Sequence, residues 1–243
     1  LLSHWSTAFT AVVAVLVGSA GCSAGETRSD SETFPLPGDT LRIEASEATV
    51  RIETGSTDSL VVERTLTGSA GNDGNATRSF EGGTLRLAVE CSGFVTSCEG
   101  DHIVRVPEGT AVVVEASGSA VDILSVSGDL EASVTNDGSL RVVGSTGRLQ
   151  LFGGGGSIVV SDARSSVVTA RTSADGDVEL GFAAPPERVE VEASGSADIT
   201  VPEGPETYRI EGSGVSGGVS SDAGSKRVIT VSAGGPARVT KAG

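Results

Sequence analysis

Val112-Val-Val-Glu-Ala-Ser-Gly-Ser119 and Val189-Glu-Val-Glu-Ala-Ser-Gly-Ser196 are near copies of each other, and each runs into an Asp-Ile pair, Asp122-Ile123 and Asp198-Ile199. Between them lie Asn136-Asp137-Gly138-Ser139, Gly155-Gly156-Ser157 and Ala174-Asp175-Gly176-Asp177, and beyond them Ser216-Gly217-Gly218 and Gly234-Gly235. Taking Gly118, Gly138, Gly156, Gly176, Gly195, Gly217 and Gly235 as one recurring turn, the intervals are 20, 18, 20, 19, 22 and 18 residues, a mean of 19.5. Two and four residues after most of these glycines stand apolar side chains: Leu140 and Val142, Ile158 and Val160, Val178 and Leu180, Ala197 and Ile199, Ala237 and Val239. Each repeat therefore reads as strand, glycine turn, strand, turn. A unit of that size cannot bury its own apolar face, so copies must stack.

The fold class is all-β. The even spacing and fixed turn position favour a β-solenoid of parallel stacked coils of about 20 residues. Asp137-Gly138 and Asp175-Gly176 also suit hairpin turns, so a β-sandwich of antiparallel strands is the alternative. Upstream, Leu41, Ile43 and Ala45, then Val50 and Ile52, then Leu60 and Val62, then Leu85, Leu87 and Val89 alternate with polar neighbours. These weaker strands, running to Val106, are expected to form earlier coils or a cap of one domain over 39–243.

Composition narrows the core and the partners. Aromatic residues are 3% of the chain, so the interior must be lined by Val, Ile, Leu and Ala, which suit thin stacked strands. The formal charge of −15 repels phosphate backbones, which argues against nucleic acid. It also disfavours adsorption of the folded domain to anionic lipid.

The N-terminus suggests an address. Ala8 to Val17 is an uncharged apolar run, followed by Gly18-Ser19-Ala20-Gly21 and then Cys22. The run is too short to span a bilayer and has the layout of a secretory signal, 1–21. The cleavage region abutting Cys22 resembles the lipobox of bacterial lipoproteins, although Ser19 stands where Leu is commoner and no Lys or Arg precedes the run. The expectation is an exported protein held on the extracytoplasmic face of the membrane by a lipidated Cys22. Residues 22–38, polar and ending in Pro35 and Pro37, read as a flexible tether. Cys91 and Cys98 enclose six residues, and in an oxidising compartment such a pair is expected as a disulfide. It would be worth roughly 2–3 kcal/mol.

Valine-rich strands, Ser-Gly-Ser and Asp-Gly-Asp turns and repeated Val-x-Val pairs resemble the DUF4097 family, an adhesin-like β-strand repeat domain of bacterial envelope proteins. So does the run from Ala184-Pro185-Pro186-Glu187-Arg188-Val189 to Val201-Pro202-Glu203-Gly204 and Tyr208. The resemblance covers roughly Asp39 to Gly243 and implies a β-helix-like fold at the cell surface. It brings no catalytic residues.

The residues themselves offer little chemistry. Past the signal the one histidine is His102, too few ligands for a metal site or a nucleophile–base pair. Gly153 to Gly156 lacks the following Lys of a phosphate loop. Asp175 and Asp177 are paired carboxylates, as glycoside cleavage needs, but aromatic platforms are few: Phe34, Phe80, Phe94, Phe152, Phe182 and Tyr208. Calcium at the acidic turns is a minor alternative, without the Gly-Gly-x-Gly-x-Asp nonapeptide of calcium-stacked rolls. The expected function is a non-enzymatic envelope lipoprotein presenting a β-repeat scaffold for adhesion or protein interaction, with no cofactor and no catalytic or metal residues. Its partners would be the membrane, through the anchor, and an envelope protein or polymer. An envelope-stress sensor accessory and a polysaccharide-active β-helix enzyme are the alternatives.

Overall fold

The computed structural model describes residues 27–92 and 97–243; the expected signal segment and Cys22 lie outside them. In the first half of the chain the strands are β1 (Thr27–Phe34), β2 (Thr40–Ser46), β3 (Thr49–Thr54), β4 (Leu60–Gly68), β5 (Ala76–Glu81), β6 (Thr84–Val89), β7 (Cys98–Val106), β8 (Ala111–Ser117), β9 (Ala120–Leu124) and β10 (Leu130–Thr135). There follow β11 (Ser139–Val143), β12 (Leu149–Gly153), β13 (Ile158–Ala163), β14 (Val167–Thr172), β15 (Val178–Phe182), β16 (Arg188–Ala193), β17 (Ala197–Val201), β18 (Arg209–Glu211), β19 (Val215–Ser216), β20 (Val228–Ala233) and β21 (Ala237–Lys241).

From β6 onward successive strands alternate between two sheets. One has eleven strands, in the order β1-β4-β7-β3-β9-β11-β13-β15-β17-β21-β19, and the other ten, β18-β20-β16-β14-β12-β10-β8-β2-β6-β5. From β8 to β17 every coil gives one strand to each sheet and stacks in parallel on the coil before it. This is the solenoid, not the antiparallel sandwich.

Period-two alternation builds the core. Val121, Leu140, Ile158, Val178, Ala197 and Ala237 face inward in one matched rank of the eleven-stranded sheet. Ile43, Val114, Ala132, Leu151, Ala170 and Val191 do the same in the other sheet. All are essentially without solvent exposure. A shift of one residue would turn every one of these side chains outward, so burial fixes the register.

The glycine turn is a column of close backbone contacts. A Cβ on Gly138 would lie 2.4 Å from Ser119 O, one on Gly156 1.9 Å from Gly138 O, and one on Gly176 2.8 Å from Gly156 O. Gly195 and Gly235 continue the column, each donating its N–H to the carbonyl of the glycine below, Gly176 and Gly195. Two expected members stand outside it. Gly118 precedes the column by one residue, with φ +59°, and Ser119 takes its place. Gly217 packs on Val239 at the far end of the stack.

Gly217 falls outside the column because of the order of the last coils. β17 pairs with β21 and β16 with β20, so the final coil in sequence is inserted before the coil made of β18 and β19. Those two strands have three and two residues. They cannot cover a full inner face, and they end both sheets with short edges that resist edge-to-edge pairing. The N-terminal end skips in the same way, with the β2–β3 coil lying between β6–β7 and β8–β9.

The tether expected over 22–38 also needs correcting. Thr27–Phe34 is a strand, β1, paired residue for residue with β4 in antiparallel register. It escaped the apolar pattern because its inward side chains are Asp30, Glu32 and Phe34.

Candidate functional site

Two regions carry chemistry: a polar cluster inside the N-terminal cap and the outer faces of the sheets. The inner rank that reads Val121 and Val50 toward the solenoid becomes His102, Arg64 and Asp30 at its N-terminal end. Arg64 Nε and Nη2 donate to Asp30 Oδ2 at 3.1 and 2.7 Å. From the edge of the other sheet, Arg78 reaches the same carboxylate, Nη1 to Oδ1 2.7 Å, and places Nη2 2.8 Å from Glu32 Oε2. The Phe34 and Phe80 rings meet beside it at 5.0 Å. Burial works to raise the Asp30 pKa, but the hydrogen bonds and charges of Arg64 and Arg78 outweigh it and hold the carboxyl below its ordinary value. His102, 1% exposed, is pushed down to about 4. Its burial is the main cause; the backbone at Thr49 and Gly100 opposes the shift, and the charges of Arg64 and Arg78 add to it. A neutral buried imidazole facing guanidinium groups is a packing element of the cap, not a general base open to substrate.

The other singled-out residues also serve the scaffold. Cys91 and Cys98 are joined in a disulfide whose second cysteine opens β7. Asp175 and Asp177 flank the column glycine Gly176, and Asp177 Oδ1 accepts from the Ser196 N–H at 2.6 Å and the Ser196 hydroxyl at 2.7 Å. Those two bonds lower the Asp177 pKa, so the carboxylate ties one coil to the next. Gly153 to Gly156 turn tightly against Thr135 and Gly138. Among the described residues no three His, Cys, Asp or Glu side chains converge as a metal site would require. Tyr208, 1% exposed, fills the C-terminal end of the interior, where burial raises its pKa.

The outer faces are ion-paired and continuous. On the eleven-stranded sheet Arg105 joins Glu53 at 2.8 Å and Glu63 at 2.6 Å. On the ten-stranded sheet Arg86 meets Glu44 at 2.8 Å and Arg42 meets Glu115. Farther along the same face, Arg171 holds Glu190 at 2.7 Å and Glu192 at 2.9 Å. Between these zones lies a sparsely charged stretch with Ser133, Gln150, Phe152 and Thr169, where Glu131 stands beside Gln150 and Arg171 beside Phe152. Phe152 is 38% exposed, the one exposed large hydrophobic among the described residues. Beside it a trough of about 640 Å³ crosses from β5 to β10. A second hollow, about 650 Å³, is lined by Glu187, Glu206, Lys226 and Arg227. There the Arg227 guanidinium is already bonded to the Pro185 and Pro186 carbonyls.

This fold has crystallographic counterparts. The chain is similar to a structure described as a "putative adhesin" from Bacteroides fragilis, with 13% identity, 88% of this chain and 97% of that one covered, and a TM-score of 0.53. It is likewise similar to a "putative adhesin" from Parabacteroides distasonis, with 14% identity, coverage of 90% and 98%, and a TM-score of 0.50. No family model matches the sequence, and no curated protein matches it. At such identities the likeness carries the fold alone and no residue roles.

The sequence alone names Phe152 among the few aromatics without placing it on the outer face, and it does not reveal the trough. The signal for Phe152 was present. In Leu149-Gln150-Leu151-Phe152 the alternation puts both leucines inside and Phe152 outside.

Proposed function

We propose that this chain is a non-enzymatic envelope lipoprotein of DUF4097-like architecture that presents its solenoid for adhesion or protein interaction. The observation that carries this reading is the pair of unbroken outer faces, eleven and ten strands wide, with polar side chains organised across coils rather than converging on a cleft. Asp30 and His102 within the cap and Asp177 in a turn, all with shifted pKa values, serve the scaffold. The fold shared with structures described as putative adhesins supports the same reading.

In this proposal residues 1–21 direct export and a lipidated Cys22 anchors the protein, with the short stretch from Cys22 to the start of β1 joining anchor and solenoid. Each buried acyl CH2 contributes roughly 0.8 kcal/mol, so two chains suffice for stable attachment. Crosslinking in the producing cells followed by pull-down should capture an envelope protein or polymer; recovery of the chain alone would refute the adhesion reading. Fractionation of Cys22→Ala tests the anchor separately, and retention in the membrane fraction would refute it.

A further inference from the structure

The trough on the ten-stranded sheet has an ordered floor. Ala88, Ser46, Ser117 and Thr135 stand side by side on β6, β2, β8 and β10, with Thr77 opposite Ala88 on β5. One wall is the neighbouring rank, Ser79, Arg86, Glu44, Glu115 and Ser133. Phe152 is the next member of that rank, directly beside Ser133. Small side chains on the floor and long ones along the wall make the depression. Trough and Phe152 together span five inter-strand steps from β5 to β12, about 24 Å.

We propose that this trough and Phe152 bind an uncharged polysaccharide chain lying across the strands. The proposal deepens the adhesion reading and rests on it, naming a ligand class and the face that takes it. Strand spacing places hydroxyls at Thr77, Ser46, Ser117 and Thr135, with Ala88 interrupting the row on β6, at a repeat close to the rise of an extended 1,4-linked sugar chain. Ser and Thr hydroxyls donate and accept, as sugar hydroxyls require. The Arg86–Glu44 and Arg42–Glu115 pairs offer charged-group hydrogen bonds while cancelling each other's net charge. Phe152 supplies the apolar face on which a pyranose C–H face packs, and it is held in place by its strand rather than by a loop.

Other occupants fit less well. A polyanion meets a chain of formal charge −15. A peptide strand would need an open backbone edge to pair with, whereas the floor strands β6, β2, β8 and β10 are each paired on both sides. A lipid tail would need an enclosed apolar channel, whereas the apolar surface of Ala45, Leu87, Ala88 and Ala116 lies in an open trough bordered by Glu44, Arg86 and Glu115.

The test is calorimetric titration of the purified protein with cellohexaose and with chitohexaose, and with polygalacturonate as the anionic comparison. At least one neutral hexasaccharide should bind, and polygalacturonate should not. Phe152→Ala and Ser117→Phe should each weaken binding tenfold or more, while Phe152→Tyr retains it. Both positions lie on the outer face, and thermal melts verify that the variants are folded. If Ser117→Phe melts early, the contrast between Phe152→Ala and Phe152→Tyr decides. Absence of binding by both hexasaccharides, or binding indifferent to Phe152→Ala, overturns the proposal. So does tight binding of polygalacturonate alone. A protein captured by pull-down without any sugar binding sinks this site and leaves the adhesion reading standing.

Discussion

Arg78, on the last strand of one sheet, closes the N-terminal end of the solenoid by reaching Asp30 on the last strand of the other, Nη1 to Oδ1 2.7 Å. The two side chains are 9% and 26% exposed, so the contact is largely shielded from solvent. Arg78→Ala leaves Asp30 paired with Arg64 but removes the charge-assisted contacts to Asp30 Oδ1 and Glu32, so it should lower stability by roughly 2 kcal/mol. Urea denaturation of the variant measures it. A loss within the scatter of ordinary surface substitutions would mean that the cap is held by Phe34 and Phe80 instead.

His102 should make the same cap acid-sensitive. Its pKa in the folded protein is about 4, below the ordinary 6.5, so the unfolded chain binds the proton more readily. The stability linked to the neutral imidazole is complete above pH 6.5, falls as pH drops, and is lost on passing through pH 4. A shift of this size corresponds to roughly 3 kcal/mol across the window. Arg64 and Arg78 face the ring, and their hydrogen bonds and charges hold the Asp30 carboxyl below its ordinary value against the opposing effect of burial. Denaturation midpoints measured from pH 7 to pH 4 should fall in the wild type and stay flatter in His102→Val, which extends the aliphatic rank of Val50 and Val121. Equal slopes would assign the acid sensitivity to other groups.

The cap also shows where sequence and structure part. The central coils were legible because two independent constraints coincide there. A glycine is forced wherever one coil's carbonyl occupies the next coil's Cβ position, and an apolar pair follows at fixed offsets, as at Gly156, Ile158 and Val160. β1 was not legible, because Asp30 and Glu32 satisfy their burial with Arg64 and Arg78, residues distant in sequence. The order of the last coils was hidden for another reason. Ala197 and Ile199 accept Ala237 and Val239 as neighbours as readily as they would the next strand in sequence, and a periodic pattern does not specify which coil lies adjacent. The trough was invisible because its floor joins strands from four separate turns of chain.

The column itself can be tested at one atom. A Cβ on Gly156 would stand 1.9 Å from Gly138 O and 3.0 Å from Gly138 C, and backbone on both sides leaves nothing flexible to give way. Gly156→Ala should cost roughly 3 kcal/mol, the upper range for overpacking. Gly155→Ala is the control, since the one tight contact of its Cβ would be the Asp137 carboxylate at 3.0 Å, a side chain able to rotate away, with Asp137 N at an ordinary 3.6 Å. Thermal melts of the two variants should differ clearly. Equal behaviour would mean that the coils slide apart at this corner at little cost.

The inserted final coil makes the C-terminus of the chain an interior element. β20 and β21 are paired on both sides, with β16 and β18 in one sheet and with β17 and β19 in the other. Ending the chain after Arg227 therefore removes a coil from within the stack. It exposes Val189, Val191, Ala197 and Ile199 along the opened edges and leaves β18 and β19 without partners. In a simple solenoid, loss of the last coil would merely move the edge by one repeat. Here truncation should instead release the whole segment from Pro202 onward, detected as rapid proteolysis of 202–227 and a lowered melting temperature. Excising 204–224 is the complementary change, because it lets β17 lead directly into β20 as β15 leads into β16. That variant should keep a cooperative melt but self-associate through the full-length edges of β20 and β21, which the short β18 and β19 otherwise cover. A truncated chain as protease-resistant as the whole would show that β18 and β19 can re-pair on β16 and β17, and that the insertion adds nothing to the hold on this end.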